Sequence, residues 1–311
     1  MELKHHMRII FMGTPEFAVA SLDALVKAGF NIVAVITAPD KPSGRGLKLS
    51  QSAVKQYAEA NGLKVLQPEK LKNPDFLAEL KALKADLQVV VAFRMLPEVV
   101  WNMPPKGTIN LHASLLPDYR GAAPINWAVI NGETVSGVST FLLKQEIDTG
   151  DVLFTEAVEI HQTDTAGDLH DKLMAVGAKL LVKTVKAVET GDYVEKPQDE
   201  LSTDTEPKHA PKLFKEDCLV DFSQPVEKVY NRIRGLSPFP TAYTTLNDKL
   251  FKIFKADKQV AEAGIQPGGF LTDQKTFLKF ACPDGFISVT DVQLEGKKRM
   301  SIGEFLRGVK L

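Results

Sequence analysis

The first half of the chain alternates short apolar runs with apolar residues at helical spacing. Residues 8–12 and 32–37 are typical of buried strands, and the helical period from Phe17 to Ala28 predicts a helix between them. Strand, helix and strand within roughly 30 residues form a βαβ unit, whose right-handed crossover makes the two strands parallel. The run over residues 87–92, apolar except for Gln88, is typical of a strand buried on both faces. We therefore predict an α/β fold with a mostly parallel sheet.

The pattern changes beyond a long amphipathic helix predicted over residues 165–189. Residues 191–211 lose hydrophobic periodicity and gather prolines among acidic residues, serine and threonine, which is typical of a linker. Short β-rich runs separated by turn residues then predict a small antiparallel barrel, with strands over residues 241–246, 249–255, 277–281 and 285–294. We therefore expect a first domain over residues 1–190, a linker over 191–211 and a second domain over 212–311.

The composition is that of an ordinary globular protein, with 311 residues of which 44% are hydrophobic and 25% charged, and a net charge of −1. Cys218 and Cys282 form no C-x-x-C pair, so we expect unpaired thiols in a reducing compartment. No apolar run approaches the roughly 18 residues that span a bilayer. The first residues also lack the apolar region of a signal peptide. We expect a cytoplasmic monomer without a membrane segment.

Positive charge is concentrated in two parts of the chain. From residue 212 onward there are 16 Lys and Arg against 12 Asp and Glu, a balance of +4. The loop over residues 38–52 is longer than most connections between a strand and a helix, and it carries Lys41, Arg45 and Lys48. Both features suit contact with a polyanion such as nucleic acid, and both are also compatible with a solvated surface.

Three common cofactor motifs are missing from the sequence. The turn after the first strand reads G-T-P-E-F from Gly13, without the spaced glycines of a dinucleotide-binding loop. There is no G-x-x-x-x-G-K-[ST] phosphate loop, and the histidines form no H-E-x-x-H pattern or cysteine–histidine cluster. We therefore expect no nicotinamide cofactor and no bound metal.

Polar side chains occur instead at the end of a predicted buried strand over residues 108–112. Because side chains alternate along a strand, Asn110 and His112 lie on the same face, near the edge where open α/β sheets bind ligands. Asp148 follows another predicted strand, and its carboxylate can orient or charge the imidazole. An amide, an imidazole and a carboxylate suit acyl transfer without a covalent nucleophile, although a histidine at a strand end also serves purely structural roles.

Two motifs extend this hypothesis. The sequence N-L-H-A-S-L-L-P-D-Y-R-G-A-A-P-I occupies residues 110–125, and I-D-T-G-D occupies residues 147–151. Together they resemble the folate-dependent formyltransferases, and the resemblance covers nearly the whole chain from Met7. Three further segments extend the resemblance, R-I-I-F-M-G-T-P-E-F-A-V at residues 8–19, P-D-K-P-S-G-R-G at 39–46 and R-G-A-A-P-I-N-W-A-V-I-N-G-E at 120–133. The resemblance then implies transfer of a formyl group from 10-formyltetrahydrofolate to the α-amino group of methionine on initiator tRNA. It also implies a Rossmann-like catalytic domain followed by an OB-like β-barrel that grips the tRNA backbone.

The resemblance further implies roles for individual residues. Its catalytic residues are Asn110, His112 and Asp148. The family's folate contacts correspond to two segments of this chain. One consists of Phe93, Arg94, Met95 and Leu96, and the other consists of Ser114, Leu115, Leu116 and Pro117. Its contacts with the tRNA acceptor end fall on the basic loop, with Lys41, Arg45 and Lys48.

One segment departs from the family pattern. Many members have A-Y-G-x-I-L-P where this chain has A-F-R-M-L-P over residues 92–97, one residue shorter and without the glycine. Arg94 then lies close to the expected folate site, where it either contacts the folate or replaces a turn. The alternatives for the whole protein are a formyltransferase acting on another amine, such as a sugar nucleotide or glycinamide ribonucleotide, a hydrolase that releases formate, and a binding module without catalysis.

Overall fold

The structure, a computed structural model, describes residues 7–43, 48–201 and 206–311. The chain divides into two compact units. The first comprises Met1–Arg120, Gly137–Val158 and Asp171–Lys208, and the second comprises Gly121–Ser136, Glu159–His170 and His209–Leu311. Each unit is therefore assembled from segments that are separated in sequence, and the expected boundaries at residues 190 and 211 remain predictions.

The chain up to residue 201 alternates strands with helices. Its elements are β1 (Arg8–Gly13), α1 (Glu16–Lys27), β2 (Asn31–Ile36), β3 (Lys41–Ser43), β4 (Lys48–Ser50), α2 (Ala53–Ala60), β5 (Val65–Leu66), α3 (Pro74–Ala82), β6 (Leu87–Val91), α4 (Glu98–Trp101), β7 (Thr108–His112), β8 (Arg120–Gly121), α5 (Pro124–Ile130), β9 (Val135–Leu142), β10 (Val152–Glu159), α6 (Ala166–Thr190) and α7 (Gln198–Leu201). The helix starts follow local chemistry. Asn73 caps α3 through its side chain, and Pro74 occupies the first helical position, where a missing N–H costs nothing.

A seven-stranded sheet forms the centre of the first unit, in the order β10-β9-β7-β6-β1-β2-β5. The five strands from β7 to β5 are parallel, whereas β9 is antiparallel to β7. All five residues of β6 are buried, as expected of a strand covered on both faces. The predicted α/β fold with a mostly parallel sheet is confirmed. The carboxyl ends of β1, β6 and β7 meet at the edge where such sheets bind ligands.

The helix α6 packs closely on the strands that carry the candidate site. A Cβ atom on Gly177 would lie 3.0 Å from a Leu111 methyl carbon, so the small residue allows the close approach. The Thr184 hydroxyl also forms a 2.9 Å hydrogen bond with the hydroxyl of Thr140 on β9. Although α6 has 25 residues, it carries charges along its length. No helix in the three described ranges is both long and apolar enough to cross a bilayer.

The remainder of the chain is rich in antiparallel strands. Its elements are β11 (His209–Ala210), a 3-10 turn (Glu216–Cys218), α8 (Val226–Gly235), β12 (Ala242–Leu246), β13 (Lys249–Val260), β14 (Phe270–Thr272), β15 (Leu278–Cys282), β16 (Gly285–Leu294), β17 (Met300–Ser301) and α9 (Ile302–Gly308). The strands form a sheet in the order β12-β13-β16-β15-β14, with β17 beside β16. Val229 and Ile233 of α8 share one buried core with Phe251, Phe280 and Phe305. This antiparallel sheet with a packed helix is consistent with the expected OB-like domain.

Three local features differ from the sequence patterns. The basic loop contains the antiparallel pair β3 and β4, which lie on either side of residues 44–47. The segment of linker composition contains α7 and a two-way backbone pairing between Val152 and Lys196. The helix α9 is unpredicted, although Ser301 and Glu304 form a reciprocal capping box at its start.

The two cysteines give a prediction for the second unit. Both thiols are free and buried, and burial raises the pKa of Cys218 and raises the pKa of Cys282 to about 11. A raised pKa leaves little reactive thiolate at pH 8. We therefore expect the native protein to resist labelling by a disulfide reagent such as DTNB, whereas the protein in guanidinium chloride should release two equivalents of chromophore. Rapid labelling of the native protein would contradict this arrangement of the core.

Candidate active site

His112 ends β7 between two neighbouring strands that fix its backbone. β6 pairs with β7 in parallel, and β9 pairs with it antiparallel, with His112 opposite Ser139. The His112 side chain is 8% exposed, and its ring contacts the edge of Phe141 with centroids 6.5 Å apart. A nearly buried imidazole needs polar partners, because an unpaired polar group in the interior is costly.

Both ring nitrogens of His112 face specific groups. Its Nε2–H donates to the Tyr119 carbonyl oxygen at 2.9 Å, which fixes the orientation of the ring. Its Nδ1 lies 3.9 Å from Oδ2 of Asp148, whose side chain is 11% exposed. That distance is too long for a direct hydrogen bond but short enough for electrostatic attraction. The Nδ1 side of the ring is therefore where a substrate atom or a water molecule can insert.

The turn that carries Asp148 approaches His112 from an unexpected direction. Because β9 is antiparallel, its last residue, Leu142, lies beside Ile109 at the start of β7. The following loop must run back toward the end of β7 for Asp148 to reach the imidazole. Asp148 has a φ of +55°, in the left-handed region, and a Cβ atom on Gly150 would lie 1.6 Å from the Leu142 carbonyl oxygen. The turn thus depends on two special backbone positions.

Asn110 lies two residues before His112 on the same face of β7 and is half-buried. Its side chain forms no hydrogen bond within the part of the chain that the structure describes. Its backbone pairs with Val90 on one side and with Phe141 on the other, so the position of the residue is fixed. A fixed and unsatisfied amide at the carboxyl edge of the sheet is a ready donor for a ligand oxygen.

Residues 114–117, which are expected to contact folate, alternate between buried and half-buried side chains. Ser114 is buried and donates through its hydroxyl to the Asp118 carbonyl oxygen at 2.6 Å. Leu116 is buried against Phe141 in a small apolar cluster. Leu115 and Pro117 are half-buried. The side chains of Ser114 and Leu116 therefore serve the interior, which leaves the alternate positions for a ligand.

The second such segment follows β6. Arg94 donates to the Glu69 carbonyl oxygen at 2.7 Å and also to the Pro68 carbonyl oxygen, so its guanidinium bonds to backbone. Leu96 is buried in the apolar core and Phe93 packs partly against it, whereas Met95 is 72% exposed. These bonds tie the segment to the connection after β5, and the expected contact of Arg94 with folate remains a prediction.

The basic loop is described only in part. Lys41 is exposed on β3, Lys48 lies on β4, and Arg45 lies outside the described residues. The base of the loop is anchored by Lys55, whose ammonium group lies 2.5 Å from the Asp40 carboxylate. This hydrogen bond holds the pKa of Asp40 below its ordinary value. The loop therefore starts from a fixed position next to α2.

Sequence reasoning missed Gln198, which lies in the segment of linker composition. Its amide donates to the carbonyl oxygens of Asp148 and Gly150 at 2.7 and 2.8 Å. It also forms part of the wall of a cavity of about 610 Å³ beside the Asp148 turn, together with Arg120, Lys144 and Thr149. No sequence signal marks this residue, because its partners are distant in the chain.

Among the described residues, no three histidine, cysteine or acidic side chains gather as a metal site would require.

Comparison with known proteins identifies the family. Residues 7–185 match the family described as Formyl transferase, and residues 212–310 match the family described as Formyl transferase, C-terminal domain. The chain belongs to the formyltransferase family. The family resemblance inferred from the two motifs is thereby confirmed.

Relatives of this formyltransferase share nearly its full length. Methionyl-tRNA formyltransferases from Parabacteroides distasonis and Bacteroides fragilis are 54% and 53% identical over 99% of this chain and 97% of their own. The one from Flavobacterium johnsoniae is 51% identical over 97% of this chain and 96% of its own.

Solved structures resemble this formyltransferase in fold. The N-formyltransferase from Helicobacter canadensis, in complex with folinic acid and dTDP-3-aminofucose, aligns with a TM-score of 0.69 at 22% identity over 91% of this chain and 98% of that chain. HypX from Aquifex aeolicus, in complex with tetrahydrofolic acid, aligns with a TM-score of 0.66 at 21% identity over 98% of this chain and 48% of that chain. At these identities the likeness concerns the fold alone.

The backbone of the Asp148 turn can be tested by substitution. Gly150→Ala forces a Cβ atom into the Leu142 carbonyl group, and we expect a loss of about 1–3 kcal/mol in the free energy of unfolding, as for other overpacked sites. Gly303→Ala in α9 is the control, since no atom lies within 4 Å of its Cβ position and alanine favours a helix by up to about 1 kcal/mol. Urea unfolding followed by fluorescence measures both. Equal stability of the two variants would contradict the crowded geometry at Gly150.

Proposed function

We propose that this formyltransferase transfers a formyl group from 10-formyltetrahydrofolate to the α-amino group of methionine esterified to initiator tRNA. The observation that carries the proposal is the identity of 51–54%, over nearly the full length, with proteins named methionyl-tRNA formyltransferase. The similarity includes the C-terminal domain as well as the domain with the candidate site. The product, formylmethionyl-tRNA, serves translation initiation.

The site residues have distinct roles in this proposal. The neutral α-amino group attacks the formyl carbon, and negative charge develops on the formyl oxygen. The bond between the formyl carbon and the folate nitrogen then breaks, and the proton lost by the amine balances the proton gained by that nitrogen. The Asn110 amide and the His112 ring stabilise that charge, which is the task of an oxyanion hole. Asp148, 3.9 Å from Nδ1, stabilises positive charge on the ring. The hydrogen bond from Nε2 to Tyr119 keeps Nδ1 facing the reacting atoms.

The residues around the site fit a reduced folate as formyl donor. When bound, 10-formyltetrahydrofolate supplies an activated formyl group and a leaving nitrogen. The Asn110 amide, which lacks an internal partner among the described residues, is a donor for the formyl oxygen. The proposed walls are residues 93–96 and 114–117, with Met95, Leu115 and Pro117 offering the accessible side chains.

Positive charge supports a tRNA as the acceptor. Lys41, Arg45 and Lys48 belong to the basic loop, and the chain from residue 212 carries a balance of +4. Contacts between such groups and phosphates release counterions, so binding should weaken as salt rises. We place the protein in the cytoplasm, where ribosomes use initiator tRNA, and propose that it acts as a monomer.

An acceptor panel tests the proposed function. The purified protein is incubated with 10-formyltetrahydrofolate and, in parallel, with methionyl initiator tRNA, methionyl elongator tRNA, an amino sugar nucleotide, glycinamide ribonucleotide or buffer. We expect formylation of the initiator species alone. Transfer to a small amine, or release of formate in buffer, would retain the formyl chemistry and overturn the tRNA assignment.

Substitution of the candidate catalytic residues tests the mechanism. His112→Ala and Asp148→Asn should each lower turnover on the order of 10² to 10³-fold, because each removes charge stabilisation from the transition state. The matched controls are His161→Ala and Asp192→Asn, whose side chains are exposed, and both should retain normal turnover. Circular dichroism establishes that the variants fold. Near-normal turnover in either candidate variant would show that the residue is wrongly assigned.

A further inference from the structure

Both the oxygen and the nitrogen of the Gln198 side-chain amide form hydrogen bonds in the interior of the first unit. The residue is 3% exposed. Its Oε1 accepts from Nε and Nη2 of Arg120 at 2.9 and 2.7 Å. Its Nε2 donates to the carbonyl oxygens of Asp148 and Gly150 at 2.7 and 2.8 Å. Four hydrogen bonds thus join one side chain to two separate loops.

The two loops are those that hold the two ring nitrogens of His112. The Tyr119 carbonyl, which accepts from Nε2, immediately precedes Arg120 in the chain. Asp148, whose backbone carbonyl accepts from Gln198, presents its carboxylate to Nδ1. The contacts therefore form a closed circuit through His112, Tyr119 and Arg120, Gln198, and Asp148. Gln198 and Arg120 touch neither ring nitrogen, and Gln198 is the member that joins the two sides of the circuit.

The position of Gln198 is itself fixed by nearby contacts. Two residues earlier, Lys196 exchanges backbone hydrogen bonds of 2.9 and 3.0 Å with Val152. Three residues later, Leu201 packs on the cluster of Leu116, Phe141 and Val152. Phe141 is also the residue whose ring contacts His112. The amide is thus held on the same part of the core as the imidazole.

We propose that Gln198 is a positioning residue for formyl transfer, because it sets the distance between the Tyr119 carbonyl and the Asp148 carboxylate across the His112 ring. The inference rests on the proposed function of the site. The Asp148 turn depends on this support because its loop must run back along β7 and Asp148 adopts a left-handed backbone conformation. A shift of about 1 Å in a catalytic group can cost roughly 100-fold in rate.

The chemistry of the amide matches the four contacts made at this position. A side-chain amide offers an acceptor and two donors at the end of a flexible stem, whereas a carboxylate offers acceptors only. Gln198→Glu therefore keeps a partner for Arg120 and loses both bonds to the Asp148 turn. Gln198→Met has a similar length and loses all four. Glu200→Gln is the matched control, since Glu200 is exposed on the same short helix.

Steady-state kinetics with methionyl initiator tRNA and 10-formyltetrahydrofolate provide the test. In both Gln198 variants we expect kcat to fall roughly 10- to 100-fold, as for misplaced catalytic groups. The KM values for both substrates should stay within about threefold of wild type, because ground-state binding is retained. The control should match wild type in every constant. Thermal melting monitors the fold of each variant.

Two kinetic outcomes would overturn the proposal. One is a kcat within about threefold of wild type in Gln198→Met. The other is a parallel loss of melting temperature, substrate binding and turnover in both Gln198 variants, which would indicate a role in folding alone.

A spectroscopic measurement separates this proposal from the proposed function. The ¹H–¹⁵N signals of the His112 ring, assigned by comparison with His112→Ala, should shift in Gln198→Met and Gln198→Glu and stay unchanged in Glu200→Gln. If the wild-type protein does not formylate initiator tRNA, the proposed function fails, and these signals still test the positioning role. Unchanged His112 signals in both Gln198 variants would overturn it.

Discussion

The candidate site depends on keeping a polar ring in place at the nearly buried end of a central strand. An imidazole in that position is stable only when its nitrogens meet suitable partners. His112 meets a backbone carbonyl on one side and a carboxylate at 3.9 Å on the other, and the two partners come from different loops. The loops must therefore be held together as firmly as the ring.

The sheet supplies half of this organisation. Parallel strands bring the ends of β1, β6 and β7 to one edge, so Asn110 and His112 face a common space. The antiparallel direction of β9 does not bring the Asp148 turn to that edge directly. Since β9 ends beside the start of β7, the Asp148 turn reaches the site only through a returning loop. A left-handed residue, a glycine without room for a side chain and the bonds from Gln198 make that return possible.

The connections around the expected folate pocket show a related use of backbone contacts. Arg94 occupies a segment that is shorter than the family pattern, and it binds the carbonyl oxygens of Pro68 and Glu69. Lys55 similarly fixes Asp40 at the base of the basic loop. In both cases a cation joins segments that follow different strands. The two cations thus help to place the loops that they join.

Sequence alone determined the fold class, the two ends of β7, the family and the reaction that the family performs. The fold class and the ends of β7 follow from local patterns, because buried parallel strands are largely apolar. The family and its reaction follow from the resemblance carried by motifs such as N-L-H-A-S-L-L-P, which are visible without knowledge of any neighbour. Local patterns also indicated Asn110, His112 and Asp148 as candidates, whose catalytic roles remain predictions. Only the tertiary structure decided that β9 runs antiparallel, that Arg94 binds backbone and that Gln198 joins the two loops around His112. Each of these depends on contacts between residues far apart in the chain, and a side-chain amide in a segment of linker composition carries no periodicity from which such contacts can be inferred.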